Sequence, residues 1–136
     1  QSLVQEQKIF TTIDAYISGS LDDGLLQITG KPSQGISLQD AESAIWKELE
    51  RLKTVPVEET ELEKVKNRYE SEQIFNNLNY LNVATNLAYF ELIGQAEDIN
   101  KEVEKYRAVT AGQIQKAARQ TFVPENCSIL YYLAEQ

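Results

Sequence analysis

The chain has 136 residues, 42% hydrophobic and 25% charged, with 13 Lys and Arg against 21 Asp and Glu, and a net charge of −8. That is enough for one core but not for two large ones, in an ordinary globular composition. The acidic balance excludes nucleic acid and an anionic membrane surface as partners, because both call for clustered Lys and Arg. No His is present, so the usual His-containing zinc sites and the Ser–His and Cys–His pairs are ruled out. The single cysteine, Cys127, forms no internal disulfide and sits in an apolar run, where a small core residue is expected. No run approaches the ~18 apolar residues of a membrane span.

Gln1–Gln7 reads as the last turns of a helix, and the abrupt start without Met points to a processed or partial chain. Ile9, Thr11, Ile13, Ala15 and Ile17 alternate with Phe10, Thr12, Asp14 and Tyr16, a period of two that predicts a strand. Gly19–Ser20–Leu21–Asp22–Asp23–Gly24 is a turn cluster, and Leu25–Thr29 returns as the second strand of a hairpin. Asp22–Asp23 is a turn signal before it is a ligand pair. Gly30–Gly35 reads as a loop and lacks the Gly-Lys-Ser/Thr of a phosphate loop.

Ser37 is expected to cap a helix with Asp40 at its third position, the apolar stripe being Leu38, Ala41, Ile45, Leu49 and Leu52. Pro56 breaks it. No Gly or Pro interrupts Glu58 to Ile93, so one long helix, or two bent near Asn76–Asn77, fits that stretch up to Gly94. Ile99, Val103 and Tyr106 mark a short helix. Thr110 with Gln113 caps the next, whose stripe is Ile114, Ala117, Ala118 and Phe122. Pro124–Glu125–Asn126 stops that helix, and 127–133 reads as a buried closing strand, with Tyr131 and Tyr132 pointing to opposite faces. Strands and helices are grouped. The fold expected is α+β, an antiparallel sheet of the N-terminal hairpin plus the C-terminal strand packed on four to five helices, in one domain over 1–136.

Acidic residues are the abundant chemical type. Glu58, Glu59, Glu61 and Glu63 cluster where a helix start favours carboxylates, which explains them before metal binding does. Glu70 and Glu72, with Lys66 and Arg68 nearby, read as a solvated face. Tyr69, Phe75, Tyr80, Tyr89, Phe90 and Tyr106 fall at helical spacings and are expected in the core.

In this order the segments resemble the insulinase-like (pitrilysin-type) zinc metallopeptidases over essentially the whole chain. Leu3–Lys8 is similar to the end of a helix that in many members reads Arg-x-x-Arg-Glu-Lys, with Gln here at basic positions. Ile13–Tyr16 with Asp23–Leu26 is similar to the hairpin, Pro56–Leu62 and Lys64–Asn67 to the opening of the long helix, and Leu87–Gly94 to its end. Val109–Thr110–Ala111 resembles the capped helix that follows. The hairpin resembles that of the C-terminal half, which normally lacks zinc.

The resemblance implies a chain that helps form a peptide-binding chamber in a zinc metalloendopeptidase and has no activity by itself. It implies zinc in the parent protein or partner half, none in this chain, and no catalytic residue here; Glu72 would be a ligand only in a zinc half. Implied partners are the zinc-bearing half and a peptide substrate; a homo-oligomer is expected separately, from apolar surface left where the first helix is cut. A soluble protein is expected, periplasmic or cytoplasmic in a bacterium. The non-zinc half often supplies an Arg and a Tyr that hold substrate, but no such pair follows the hairpin here, where Leu26, on the second strand, and Ser37 stand instead. That departure keeps open a non-catalytic assembly homologue like the core proteins of the respiratory cytochrome bc complex.

Overall fold

A computed structural model describes residues 2–19 and 24–133. They fall into two compact units, the first within the bounds Gln1–Thr54 and Ala118–Gln136 and the second Val55–Ala117.

In the first unit, Ser2–Glu6 makes one wide π-type turn, closed by the Gln7 N–H donating to the Ser2 carbonyl at 2.9 Å. Lys8, at φ 53°, takes the left-handed conformation and reverses the chain into strand β1, Phe10–Ser18. β1 pairs antiparallel with β2, Leu25–Pro32, from Ser18 opposite Leu25 to Phe10 opposite Pro32. Between Phe10 and Thr12 the register slips, leaving Thr11 without an opposite number. This bulge brings Phe10 to the same side as Ile13, although simple alternation puts them on opposite faces. Phe10 is accordingly the most buried side chain described, 3% exposed.

β2 runs further than the sequence suggested. Gly30, Lys31 and Pro32, read above as loop, face Ile13, Thr12 and Phe10 in the ladder. Pro32 is tolerated because it closes the strand. Gly30 is needed because a Cβ there would lie 2.6 and 2.7 Å from two ring carbons of Phe10.

Helix α1, Leu38–Thr54, starts as expected: the Asp40 N–H donates to Ser37 Oγ at 3.1 Å, and Ser37 Oγ donates to Asp40 Oδ2 at 2.6 Å. Ala41 and Ala44 are buried with Leu3 and Phe10, and Val4, Ile9, Ile13, Ile36 and Ile45 pack around them. Ser2 Oγ and Gln7 Nε2 both donate to Glu48 Oε1, at 3.0 and 3.1 Å, fixing the first turn to α1. The end of α1 is held by Arg119 Nε donating to the Lys53 carbonyl at 2.7 Å, and by Lys53 Nζ donating to the Phe122 carbonyl at 3.2 Å.

The second unit holds α2, Glu59–Asn76, and α3, Tyr80–Ile93, so the long segment is two helices broken where the paired asparagines stand. Asn79 caps α3, its side chain accepting from the N–H groups of Leu81 and Asn82 at 2.9 and 3.4 Å. A 3₁₀ turn, Ala96–Lys101, leads into α4, Glu102–Arg107. Helix α5, Ala111–Thr121, crosses from this unit into the first. Its start is the expected reciprocal cap, with the Thr110 N–H donating to Gln113 Oε1 at 2.8 Å and the Gln113 N–H to Thr110 Oγ1 at 3.3 Å. Of its expected stripe, Ala118 is buried, Ile114 and Phe122 are half-buried, and Ala117 is exposed.

The α+β class holds, with two antiparallel strands and five α-helices among the described residues. The closing strand does not. Residues 127–133 join no ladder, and Cys127, expected in the core, is exposed. A strand is stabilised by a neighbour's backbone groups, and the described residues bring none alongside. The expected core aromatics Phe75 and Tyr80 are exposed as well, Tyr80 to 91%. α3 is mostly apolar, with Asn82, Thr85, Asn86 and Glu91 as its polar residues, and has no buried residue. No described helix is long and apolar enough to cross a membrane.

Candidate functional site

The hairpin is the feature of the first unit that offers most to a ligand. Its sheet has only two strands among the described residues, so each keeps an outer row of backbone N–H and C=O groups without a ladder partner. Beyond Ile13 the hairpin also leaves its core. Tyr16, Ile17, Leu25 and Leu26 are all exposed. Side chains stiffen this half of the hairpin: Tyr16 Oη donates to Gln27 Oε1 at 2.7 Å, and Gln27 Nε2 donates to Ser18 Oγ at 3.3 Å. The result is an exposed, largely apolar edge whose outer backbone groups have no ladder partner among the described residues. Asp22–Asp23, the turn pair, lies outside the described residues.

Leu26 and Ser37 occupy the region where the resemblance led one to look for an Arg and a Tyr. Leu26 is exposed on β2, and Ser37 is committed to capping α1. Tyr131, half-exposed, donates its hydroxyl to Glu42, whose other carboxylate oxygen accepts from Trp46 Nε1 at 3.2 Å. The Glu42 bond holds the Tyr131 proton and raises its pKa.

The acidic candidates of the second unit form ion pairs along α2. Glu72 is exposed and accepts from Arg68 Nε at 2.7 Å, a bond that raises the Arg68 pKa. Glu61 faces Lys64 at 3.9 Å, while Glu58 and Glu59 stay exposed at the helix start. Glu63 and Glu70 converge on Arg107 of α4. Arg107 Nη1 donates to Glu63 Oε2 at 3.1 Å, Nε donates to Glu70 Oε2 at 3.1 Å, and Nη2 donates to Asn67 Oδ1 at 2.7 Å. The Glu70 contact dominates in holding the guanidinium charged. Beside it the rings of Tyr69 and Tyr106 stack with centroids 3.6 Å apart and planes 13° from parallel. Burial first, then the neighbouring Tyr106 and Glu102, push the Tyr69 pKa up to about 12. Sequence reasoning missed this knot, although Glu63, Asn67 and Glu70 at spacings of four and three do mark one face of α2.

A zinc ion does not fit these donors. No group of three or more His, Cys, Asp or Glu converges among the described residues. Glu72 has its partner in Arg68, and the sequence supplies no imidazole.

The model of the peptidase M16 inactive domain matches residues 1–69, the span that holds the N-terminal turn, the hairpin, α1 and the first half of α2. The chain belongs to that family. It is the insulinase-like, C-terminal non-zinc type of half that the segment order resembles. Solved structures share its fold at low identity. The inactive peptidase domain of a protein from Bordetella parapertussis, provisionally assigned as a zinc protease, is 18% identical with a TM-score of 0.81, the match covering 96% of this chain and 71% of that one. A protein from Bordetella pertussis Tohama I with the same provisional assignment is 19% identical with a TM-score of 0.78, covering 90% of this chain and 68% of that one. A protease from Helicobacter pylori is 16% identical with a TM-score of 0.78 over 87% of this chain, which spans only 29% of the length of that protein. No curated protein matches the chain.

Proposed function

We propose that this inactive domain is the C-terminal portion of the non-zinc half of an insulinase-like zinc metallopeptidase. It helps a zinc-bearing half to enclose a chamber and presents the hairpin edge to extended peptide. The observation that carries the reading is the inactive-domain match over the residues that build the hairpin, whose outer backbone row has no ladder partner among the described residues. Peptide joining such an edge gains main-chain hydrogen bonds that do not depend on side-chain identity, so a broad range of peptides is accommodated. The uncharged stretch Leu25–Thr29 suits that role better than β1, which carries Asp14. Zinc belongs to the partner half, and the chain by itself hydrolyses nothing.

A second reading, an assembly subunit without a peptidase role, is favoured by Leu26 and Ser37 standing where substrate-holding Arg and Tyr are expected. One experiment separates the two. The chain is mixed with an unstructured casein peptide, with and without zinc, and followed by mass spectrometry and by amide NMR shifts. The peptidase-half reading expects no cleavage and shifts confined to Leu25–Thr29 and its flanks. Absence of shifts favours the assembly subunit, and zinc-dependent cleavage sinks both.

A further inference from the structure

Tyr69 on α2 and Tyr106 on α4 lie face to face, their ring centroids 3.6 Å apart and their planes 13° from parallel. That separation is van der Waals contact between ring carbons, which is best at about 3.5–4.0 Å. Aromatic pairs ordinarily prefer offset or edge-on arrangements with centroids about 4.5–7 Å apart, because their electron-rich faces repel. The neighbouring residues hold this pair closed. Glu70 follows Tyr69 and Arg107 follows Tyr106. Arg107 Nε donates to Glu70 Oε2 at 3.1 Å and its Nη1 donates to Glu63, which draws the two helices together beside the rings. The phenol of Tyr106 contributes to raising the Tyr69 pKa, so both hydroxyls stand at one end of the stack. The ring carbons next to each oxygen therefore face one another. Among the described residues no other pair of the seven tyrosines has its rings in contact.

We propose that Tyr69 and Tyr106, held in contact by the Glu70–Arg107 ion pair, are a modification site at which a one-electron oxidant joins the two rings as dityrosine. Each phenol gives one electron to the oxidant and its hydroxyl proton to solvent. The phenoxyl radical left behind shares its unpaired spin between the oxygen and the ortho carbons, Cε1 and Cε2. Coupling of one ortho carbon from each ring forms a single carbon–carbon bond. The hydrogen on each coupled carbon then moves through solvent to the oxygen of its own ring, restoring two phenols. In total two electrons and two protons leave, and two equivalents of oxidant are reduced. Rings already in contact make the coupling unimolecular, whereas tyrosines elsewhere must first meet by diffusion. The product ties α4 covalently to α2, and the tie persists when salt screens the Arg107 ion pairs.

The test is brief photo-oxidation of the full chain by the cationic tris-bipyridyl ruthenium complex with persulfate, at a dilution that suppresses collisions between chains. Cys127→Ser serves as the parent, so that no thiol consumes oxidant. Tyr106, 47% exposed, is within reach of so small a reagent. Trypsin then frees residues 69–101 and the dipeptide Tyr106–Arg107. Dityrosine fluorescence is expected in one product that joins these two peptides and is lighter than their sum by two hydrogens. Fragmentation is expected to assign the link to Tyr69 and not to Tyr80 or Tyr89. Tyr69→Phe and Tyr106→Phe should each abolish the product with unchanged circular dichroism, and Arg107→Met should lower its yield at least about tenfold by opening the stack. A link found on Tyr80 or Tyr89, dityrosine formed only between chains, or a yield that Tyr106→Phe or Arg107→Met leaves intact overturns the proposal.

Discussion

The contact between Phe10 and Gly30 lends itself to a double-mutant cycle. Phe10→Ala empties the best-buried position, and such truncations cost about 3–5 kcal/mol in well-packed cores. Here Val4, Ile9, Ile13, Ile36 and Ile45 around it are only half-buried and can close in, which places the cost near ~3 kcal/mol. Gly30→Ala sets a methyl group 2.6 Å from the Phe10 ring, and the ring must retreat by about an ångström to ordinary contact distance. Overpacking of that size costs about 1–3 kcal/mol. With Phe10 already Ala, the methyl enters vacated space, and its cost falls to about zero or turns slightly favourable, since Gly is a poor strand residue. The double variant should therefore be destabilised by roughly 3 kcal/mol, where simple addition gives roughly 5. Urea titration followed by the fluorescence of Trp46 reads the first unit alone, because this single Trp lies on α1. Additivity to within ~0.5 kcal/mol would refute the claim that Gly30 exists to seat the ring.

Asn79→Ala removes the α3 cap and should cost about 1 kcal/mol, read as faster amide exchange at Leu81 and Asn82. Tyr69 should titrate near pH 12 instead of near 10, observed as delayed phenolate absorbance that Tyr106→Phe brings forward. Because the folded pKa is raised, the associated stability is fully present below pH 10 and is lost as pH climbs towards about 12. Arg107→Met should release α4 from α2, seen as proteolysis within residues 95–108 that Arg107→Lys only partly prevents, since an ammonium cannot fork between Glu63 and Glu70. Calorimetry with zinc should show no stoichiometric site of submicromolar affinity, given that Glu72 is paired and no imidazole is available.

Local signals were legible. Ser37 with Asp40 and Thr110 with Gln113 both form the caps their spacing announced, and the asparagine pair marks the break between α2 and α3. These depend on neighbours three or four residues away. What sequence could not supply was the far partner. The Ser-Ile-Leu-Tyr-Tyr pattern says that 127–133 can be a strand but not what it would pair with. The bulge at Thr11 inverted the face assigned to Phe10, since one extra residue resets a period of two. Arg107 meets Glu63 and Glu70 across separations of 44 and 37 residues, which no window along the chain reveals. The acidic face of α2, read as solvated, does carry ion pairs, while the second strand, expected over Leu25–Thr29, runs on to Pro32.

The bonds between Lys53 and residues 119 and 122 have a bearing on the order of folding. Arg119 and Phe122 meet Lys53 across 66 and 69 residues, so the first unit is discontinuous and residues 55–117 amount to an insertion within it. During synthesis the hairpin and α1 emerge long before α5 can reach them. Closing a flexible loop of that length carries a length-dependent cost of about 4 kcal/mol. Helices α2 to α4, whose contacts are local, can form first and shorten the effective loop. Within the first unit Lys53 is bonded to Arg119 and Phe122, so a short linker replacing residues 55–117 should leave the hairpin, α1 and the end of α5 as a minimal protein.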